Sequence, residues 1–250
     1  MSPANSRQVS LYCVPYAGAT SSIYRQWPRL ADAGLRVVGI DQPGRGTRSR
    51  EPRIGDYRDL VESMANQVIA DLAQSGNQGG EPRYATFGHS FGAMLSLAVA
   101  DAVTRAAGQA PVLSVLSAAL PPRLQPPGGE PAALTDVQLL DKIRGDGATA
   151  PELLAQDAVA GYLVRLMRAD YAIRDQFHRD SSLVVGFPLT TIAAREDPYV
   201  SPDRMRRWAE HSGAPCRHLE IDGGHFAAFR DPAGTLRIIR RQLAEHLIGR

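Results

Sequence analysis

The segment Gly88-His89-Ser90-Phe91-Gly92 constrains this chain more than any other. It lies between Tyr84-Ala85-Thr86-Phe87, which reads as a short buried strand, and the run from Ala93 to Ala100, which reads as a buried helix. A serine at so abrupt a strand-to-helix turn takes a strained backbone conformation, and its hydroxyl then projects outward. Glycines two residues to either side let strand and helix approach where a Cβ would clash. The following helix also directs its first N–H groups, and the positive end of its dipole, toward the serine. A plain glycine-rich turn would have the same composition. The flanking strand and helix favour a nucleophile over that reading, provided that partner residues exist.

Strand-like and helix-like segments alternate around this turn, which predicts a parallel sheet with helices on both faces. Val9–Val14, Leu35–Ile40, Tyr84–Phe87, Val112–Leu116, Leu189–Ala194 and Arg217–Ile221 read as strands. Helices are expected from Ser21 or Ser22 to about Leu30, from Tyr57 to Ala73, after Ser90, and from Pro232 to about Leu247. The alternation stops at Pro121-Pro122. From there to about Phe187 the chain shows a proline- and glycine-rich opening, then helical patterns at Thr135–Ile143 and Ala158–Phe177. Such a stretch exceeds what one crossover requires, and it is expected to pack over the carboxyl edge of the sheet as a lid, approximately residues 121–187. The expected organisation is one domain, residues 1–250.

At 250 residues the chain can bury one substantial core, and 44% apolar with 22% charged residues is a soluble globular composition. The polar start Met1–Arg7 has no apolar signal core, and no run approaches a membrane span, so a cytoplasmic protein without a membrane is expected. A net charge of +2 gives no case for nucleic acid. Cys13 and Cys216 fall in strand-like segments and read as reduced core residues. The six histidines show no metal-ligand spacing, so neither a metal nor a cofactor is expected. Pro43-Gly44-Arg45-Gly46 lacks the lysine and hydroxyl residue of a phosphate loop, which rejects nucleotide binding there.

A serine hydroxyl needs a neighbouring base. In the α/β-hydrolase fold, whose nucleophile elbow the Ser90 turn matches, the acid and then the histidine follow the serine in loops after later strands. His225, in Asp222-Gly223-Gly224-His225-Phe226, follows the last strand. Asp197, in Arg195-Glu196-Asp197-Pro198, follows the strand Leu189–Ala194. Glu196 is the nearest competitor to Asp197, Asp222 is a weaker one, and Asp170 reads as structural. The oxyanion of a tetrahedral intermediate needs two N–H donors: Phe91 is expected to supply one, and Ala17, in the loop Tyr16-Ala17-Gly18 after the first strand, the other. His89 reads as a packing residue.

The combined set resembles the type II thioesterases, stand-alone editing enzymes of polyketide and nonribosomal peptide synthesis. The matching residues are Pro15-Tyr16-Ala17-Gly18, Gln42 through Gly46 with Arg48 and Glu51-Pro52, Phe87 through Gly92, Leu166 through Tyr171, Asp197-Pro198 with Val200, and Gly223 through Phe226. They span nearly the whole chain in the family's order. The resemblance implies a Ser90, Asp197, His225 triad that hydrolyses acyl groups from the phosphopantetheine arm of an acyl or peptidyl carrier protein. Three departures bear on acyl preference rather than on hydrolysis. Phe91 replaces the usual methionine, Ala19 the second glycine after the oxyanion loop, and Ala119-Leu120-Pro121 the usual arginine-alanine-proline. Tyr16, Met94 and Met167 are candidate substrate-binding residues, although the two methionines fit a core position equally well.

A carboxylesterase or an acyltransferase would use the same acyl-enzyme chemistry, and a non-catalytic binding module would use the same scaffold. Arg204, Arg206 and Arg207, or Arg45, Arg48 and Arg50, could meet an acidic carrier surface, but either set fits a solvated face as well. The protein is expected to act as a monomer.

Overall fold

The computed structural model describes residues 8–76, 82–125 and 133–248. Among them six strands form: β1 (Val9–Val14), β2 (Leu35–Gly39), β3 (Arg83–His89), β4 (Leu113–Ser117), β5 (Leu189–Ala194) and β6 (Cys216–Ile221). They make one sheet in the order β2-β1-β3-β4-β5-β6, and every neighbouring pair is parallel. Burial follows position. β1, β4 and β5 are buried throughout, as strands covered on both faces must be, whereas the edge strands β2 and β6 are mostly half-buried.

Alternate side chains of β1 divide between two cores. Tyr12 and Val14 join the layer under α1 (Tyr57–Gly76) and α2 (Phe91–Ala107), with Leu60, Met64, Met94 and Leu97. Leu11 and Cys13 face the opposite layer, where Tyr24, Trp27, Leu236, Ile239 and Leu243 pack. Phe91 through Ala100 are buried without a break, which small residues such as Ala93, Ser96 and Ala100 permit by letting α2 lie close to the strands.

Between β4 and β5 the helices α3 (Asp136–Asp146) and α4 (Asp157–Arg174) form, with a single turn, Pro151–Leu154, between them. A capping box between Thr135 and Gln138 starts α3. Leu139, Ile143, Leu154, Val164, Met167 and Tyr171 make a small core of their own, and Ala17 packs against it. The last long helix is α5 (Pro232–Ile248). The proline- and glycine-rich opening around 126–132, the loop residues 77–81 and the polar start 1–7 lie outside the described residues. Among the described residues no helix is long and apolar enough to cross a membrane.

One expected helix is broken. Ser21–Tyr24 is a 3-10 turn and Trp27–Leu30 a separate helical turn. Pro28 has no N–H to give the carbonyl of Tyr24, so the ladder cannot run through. Ser21 does not cap it either: its N–H and hydroxyl both donate to the fully buried Asp41, at 2.6 and 2.7 Å. Asp41 also accepts the N–H and hydroxyl of Thr47, at 2.8 and 2.9 Å, and so ties the loops after β1 and β2 together.

The chain runs outward from β1 to β2, then crosses back to β3 and continues to β6. The direction therefore reverses between β1 and β3. In open α/β sheets the crevice at the carboxyl ends of two such strands is where ligands bind. Here it is bordered by the loop starting at Pro15 and by Ser90.

Candidate active site

Ser90 has φ 53° and ψ −123°, a conformation that a residue with a side chain adopts only when its surroundings impose it. They do so at both glycines. A Cβ on Gly88 would lie 2.1 Å from the Gly92 carbonyl oxygen, and one on Gly92 would lie 2.3 Å from that of Val14. The Ser90 N–H donates to the Ser117 carbonyl at 2.8 Å, and its own carbonyl accepts the Ala93 N–H at 2.9 Å. The turn is therefore held between β4 and the first turn of α2.

The loops after β5 and β6 are joined by backbone bonds from Arg195 N–H to Ile221 and from Glu196 N–H to Gly223, both 3.0 Å. They bring Asp197 and His225 together: the ring Nδ1–H donates to Asp197 Oδ2 at 2.8 Å. The other carboxylate oxygen accepts the N–H groups of Tyr199 and Val200, at 2.8 and 3.2 Å. The Asp197 side chain has no exposed surface, and that of His225 is 11% exposed. The competitors lie elsewhere. Glu196 is exposed, Asp222 is exposed and paired with Arg195, and Asp170 is buried against Arg45.

The His225 ring lies 5.0 Å from that of His89, the residue before Ser90, and 5.1 Å edge-on from that of Tyr199. His89 is fully buried and its Nδ1 meets the Ser117 hydroxyl at 3.0 Å. Burial, and then the charge of a protonated His225, hold its pKa well below the ordinary histidine value, so it stays neutral beside the catalytic candidate. Tyr16 packs edge-on against Phe226 and Phe229, at 4.9 and 5.3 Å, and props the loop that carries His225. Burial raises its phenol to about 12.

Phe91 begins α2, so its N–H has no acceptor within the helix. The contact of Gly92 with the carbonyls of Val14 and Pro15 sets the Tyr16-Ala17 backbone beside that helix start. Met94 is fully buried in the main core, and Met167 packs in the small core of α3 and α4. Both are buried among apolar side chains, as the core position open to each of them requires. The Phe91 ring stacks on Phe177 at 5.5 Å, with Tyr57 behind it at 5.1 Å. The expected basic surfaces are reduced: Arg45 is buried, Arg48 pairs with Glu51, Arg206 with Asp203 and Glu220, and Arg207 with Glu210.

Sequence reasoning missed the group around Tyr199. Its hydroxyl donates to Asp146 of α3 at 2.6 Å, and the Lys142 ammonium sits 3.9 Å from its ring centre while bonding the same carboxylate at 3.1 Å. The only signal was the position of Tyr199, two residues after Asp197.

The family model described as the thioesterase domain matches residues 9–243. The chain belongs to the thioesterase family. This thioesterase is 27% identical over 245 residues to linear gramicidin dehydrogenase LgrE of Brevibacillus parabrevis, covering 97% of this chain and 90% of that one. It is 26% identical over 224 residues to thioesterase PikA5 of Streptomyces venezuelae, covering 90% and 77%. Among solved structures, the type II thioesterase BorB of the borrelidin biosynthetic cluster aligns with a TM-score of 0.80 at 26% identity, over 94% and 93% of the two chains. The parallel sheet and these neighbours establish the α/β-hydrolase fold for the thioesterase.

Proposed function

We propose that this thioesterase releases acyl groups from the phosphopantetheine arm of a carrier protein in polyketide or nonribosomal peptide assembly. Ser90 is the nucleophile, His225 the base, Asp197 its orienting acid, and the Ala17 and Phe91 N–H groups the oxyanion donors. The observation that carries the reading is the Asp197–His225 bond, set with its imidazole against the residue preceding Ser90 in a member of the thioesterase family. The names of PikA5 and BorB support the pathway class. The name of LgrE does not redirect it: the first βα turn, Pro15-Tyr16-Ala17-Gly18-Ala19, has one glycine where a dinucleotide fingerprint needs three.

In the first half-reaction the Ser90 hydroxyl attacks the acyl carbon as its proton passes to His225 Nε2. The carbonyl oxygen takes the negative charge under the two N–H donors, and the thiolate departs. Because a thiolate is a better leaving group than an alkoxide, this collapse requires little protonation; the departed thiolate then takes the proton from the imidazolium, which leaves His225 neutral for the second half. Water then attacks the acyl-serine, giving its proton to His225, which returns it to Ser90 as the free acid leaves. Asp197 stabilises the imidazolium in both halves. The segment 121–187 serves as a lid over this site, and the Phe91–Phe177 stack as a wall of the acyl pocket.

The test compares one acyl group presented as its pantetheine thioester and as an oxygen ester, with and without an added amine or alcohol. The thioester should be preferred, the product should be the free acid, and Ser90→Ala should lose at least ~10³-fold in kcat. Transfer to the added nucleophile would make the enzyme an acyltransferase, and equal use of the oxygen ester a carboxylesterase.

A further inference from the structure

The carboxylate of Asp170, on α4, reaches the loop after β1. Its Oδ2 accepts the Gly18 N–H at 2.7 Å and Arg45 Nη1–H at 2.8 Å, and its Oδ1 accepts Arg45 Nη2–H at 2.5 Å. Arg45 Nη1–H also donates to the Ala19 carbonyl, at 3.3 Å. Both side chains are almost wholly buried, with 4% and 1% exposed. Three residues earlier along α4, one helical turn away, Met167 is pressed against the same loop, its sulfur 2.8 Å from where a Gly18 Cβ would lie. Gly18 itself has φ +78°, a conformation that leaves its N–H aimed at α4.

A buried ion pair adds little to stability that apolar packing could not supply, since desolvation offsets the attraction. What it supplies instead is direction. A bidentate arginine fixes the carboxylate plane, and the carboxylate fixes the Ala17–Gly18 peptide. Only the two dihedrals of Ala17 then separate that pinned plane from the N–H that faces the oxyanion. On its other side the loop is held by the contact of Val14 and Pro15 with Gly92.

We infer that Asp170 is a positioning residue: with Arg45 it holds the Tyr16-Ala17-Gly18 loop in the geometry that aims the Ala17 N–H at the oxyanion, which makes α4 part of the catalytic apparatus. The inference rests on the oxyanion assignment above. It also means that displacing α4 loosens an oxyanion donor as well as uncovering the site. Misplacing a catalytic group by about 1 Å costs on the order of 10²-fold in rate, which is the size of effect at issue.

Three variants test it with a soluble pantetheine thioester, reading kcat and KM separately beside the thermal midpoint. Arg45→Met with Asp170→Leu removes the charges and the acceptor. Arg45→Met with Asp170→Asn removes the charges and keeps an oxygen for the Gly18 N–H. Asp170→Glu keeps the pair and advances the carboxylate by one methylene. The leucine double variant should lose roughly 10²-fold in kcat, with KM within about threefold of wild type. The asparagine double variant should recover about tenfold of that loss, and Asp170→Glu should lose about tenfold with its midpoint nearly unchanged. Folded variants with wild-type kcat would overturn the inference, and if the double variants do not fold, Asp170→Glu decides alone. Should Ser90→Ala retain turnover, the serine mechanism itself fails. Should Ser90→Ala be inactive while the Asp170 variants keep wild-type kcat, only this inference fails.

Discussion

Replacing Asp197 with asparagine should lower kcat about 10⁴-fold while leaving the fold in place. The side-chain oxygen that accepts the Tyr199 and Val200 N–H groups must remain an oxygen. The amide nitrogen is therefore turned toward His225 Nδ1, where the carboxylate oxygen stood. Nitrogen faces nitrogen there, so Nδ1 can only accept, and the imidazole proton is driven to Nε2. A ring protonated at Nε2 cannot take the proton of a serine. The loss should fall on kcat rather than KM, because substrate binding does not use this tautomer. Steady-state kinetics with a soluble thioester would check it, and a decrease of less than about tenfold would show that Asp197 does not govern the base.

The second large effect is structural in origin. Gly92→Ala should destabilise the protein by about 3 kcal/mol or more and take most of the activity with it. The new Cβ would stand 2.3 Å from the Val14 carbonyl oxygen and 2.5 Å from that of Pro15, both backbone atoms that no rotamer change can move. Relieving the overlap pushes the start of α2 away from β1, which separates Phe91 from the Ala17 loop. Gly145, in α3, provides the control: a Cβ there meets nothing within 4 Å, and alanine favours a helix over glycine by roughly 1 kcal/mol. Urea unfolding of the two variants should therefore give shifts of opposite sign. A Gly92→Ala protein as stable as wild type would mean that the turn is not held by this contact.

The strands were legible because their burial is carried by runs of apolar residues, and β1 and β5 begin and end where the pattern predicts. The elbow was legible because its two glycines stand in one short motif, although only that of Gly88 has a local cause: Gly88 meets the Gly92 backbone, whereas Gly92 meets the distant carbonyls of Val14 and Pro15. Asp197 and His225 could be placed after their strands because the fold fixes the order of such loops. The 21–30 helix was misread because Pro28 and the distant Asp41 decide that segment, and only the proline is visible locally. Arg45 looked like a surface charge, yet its partner Asp170 lies 125 residues away on α4. Met94 and Met167 show the converse limit. Helical spacing marks a buried face but does not say whether that face meets a core or a substrate.

The central claim is that the acyl group passes through Ser90. Mixing wild-type protein with a slowly hydrolysed acyl pantetheine thioester, quenching in acid and mapping the adduct by peptide mass spectrometry tests it most directly. The account predicts one added acyl mass on the peptide that contains Ser90, and none in the Ser90→Ala protein. Turnover accompanied by an adduct on any other residue, or a Ser90→Ala protein that still releases the free acid at the wild-type rate, would contradict it.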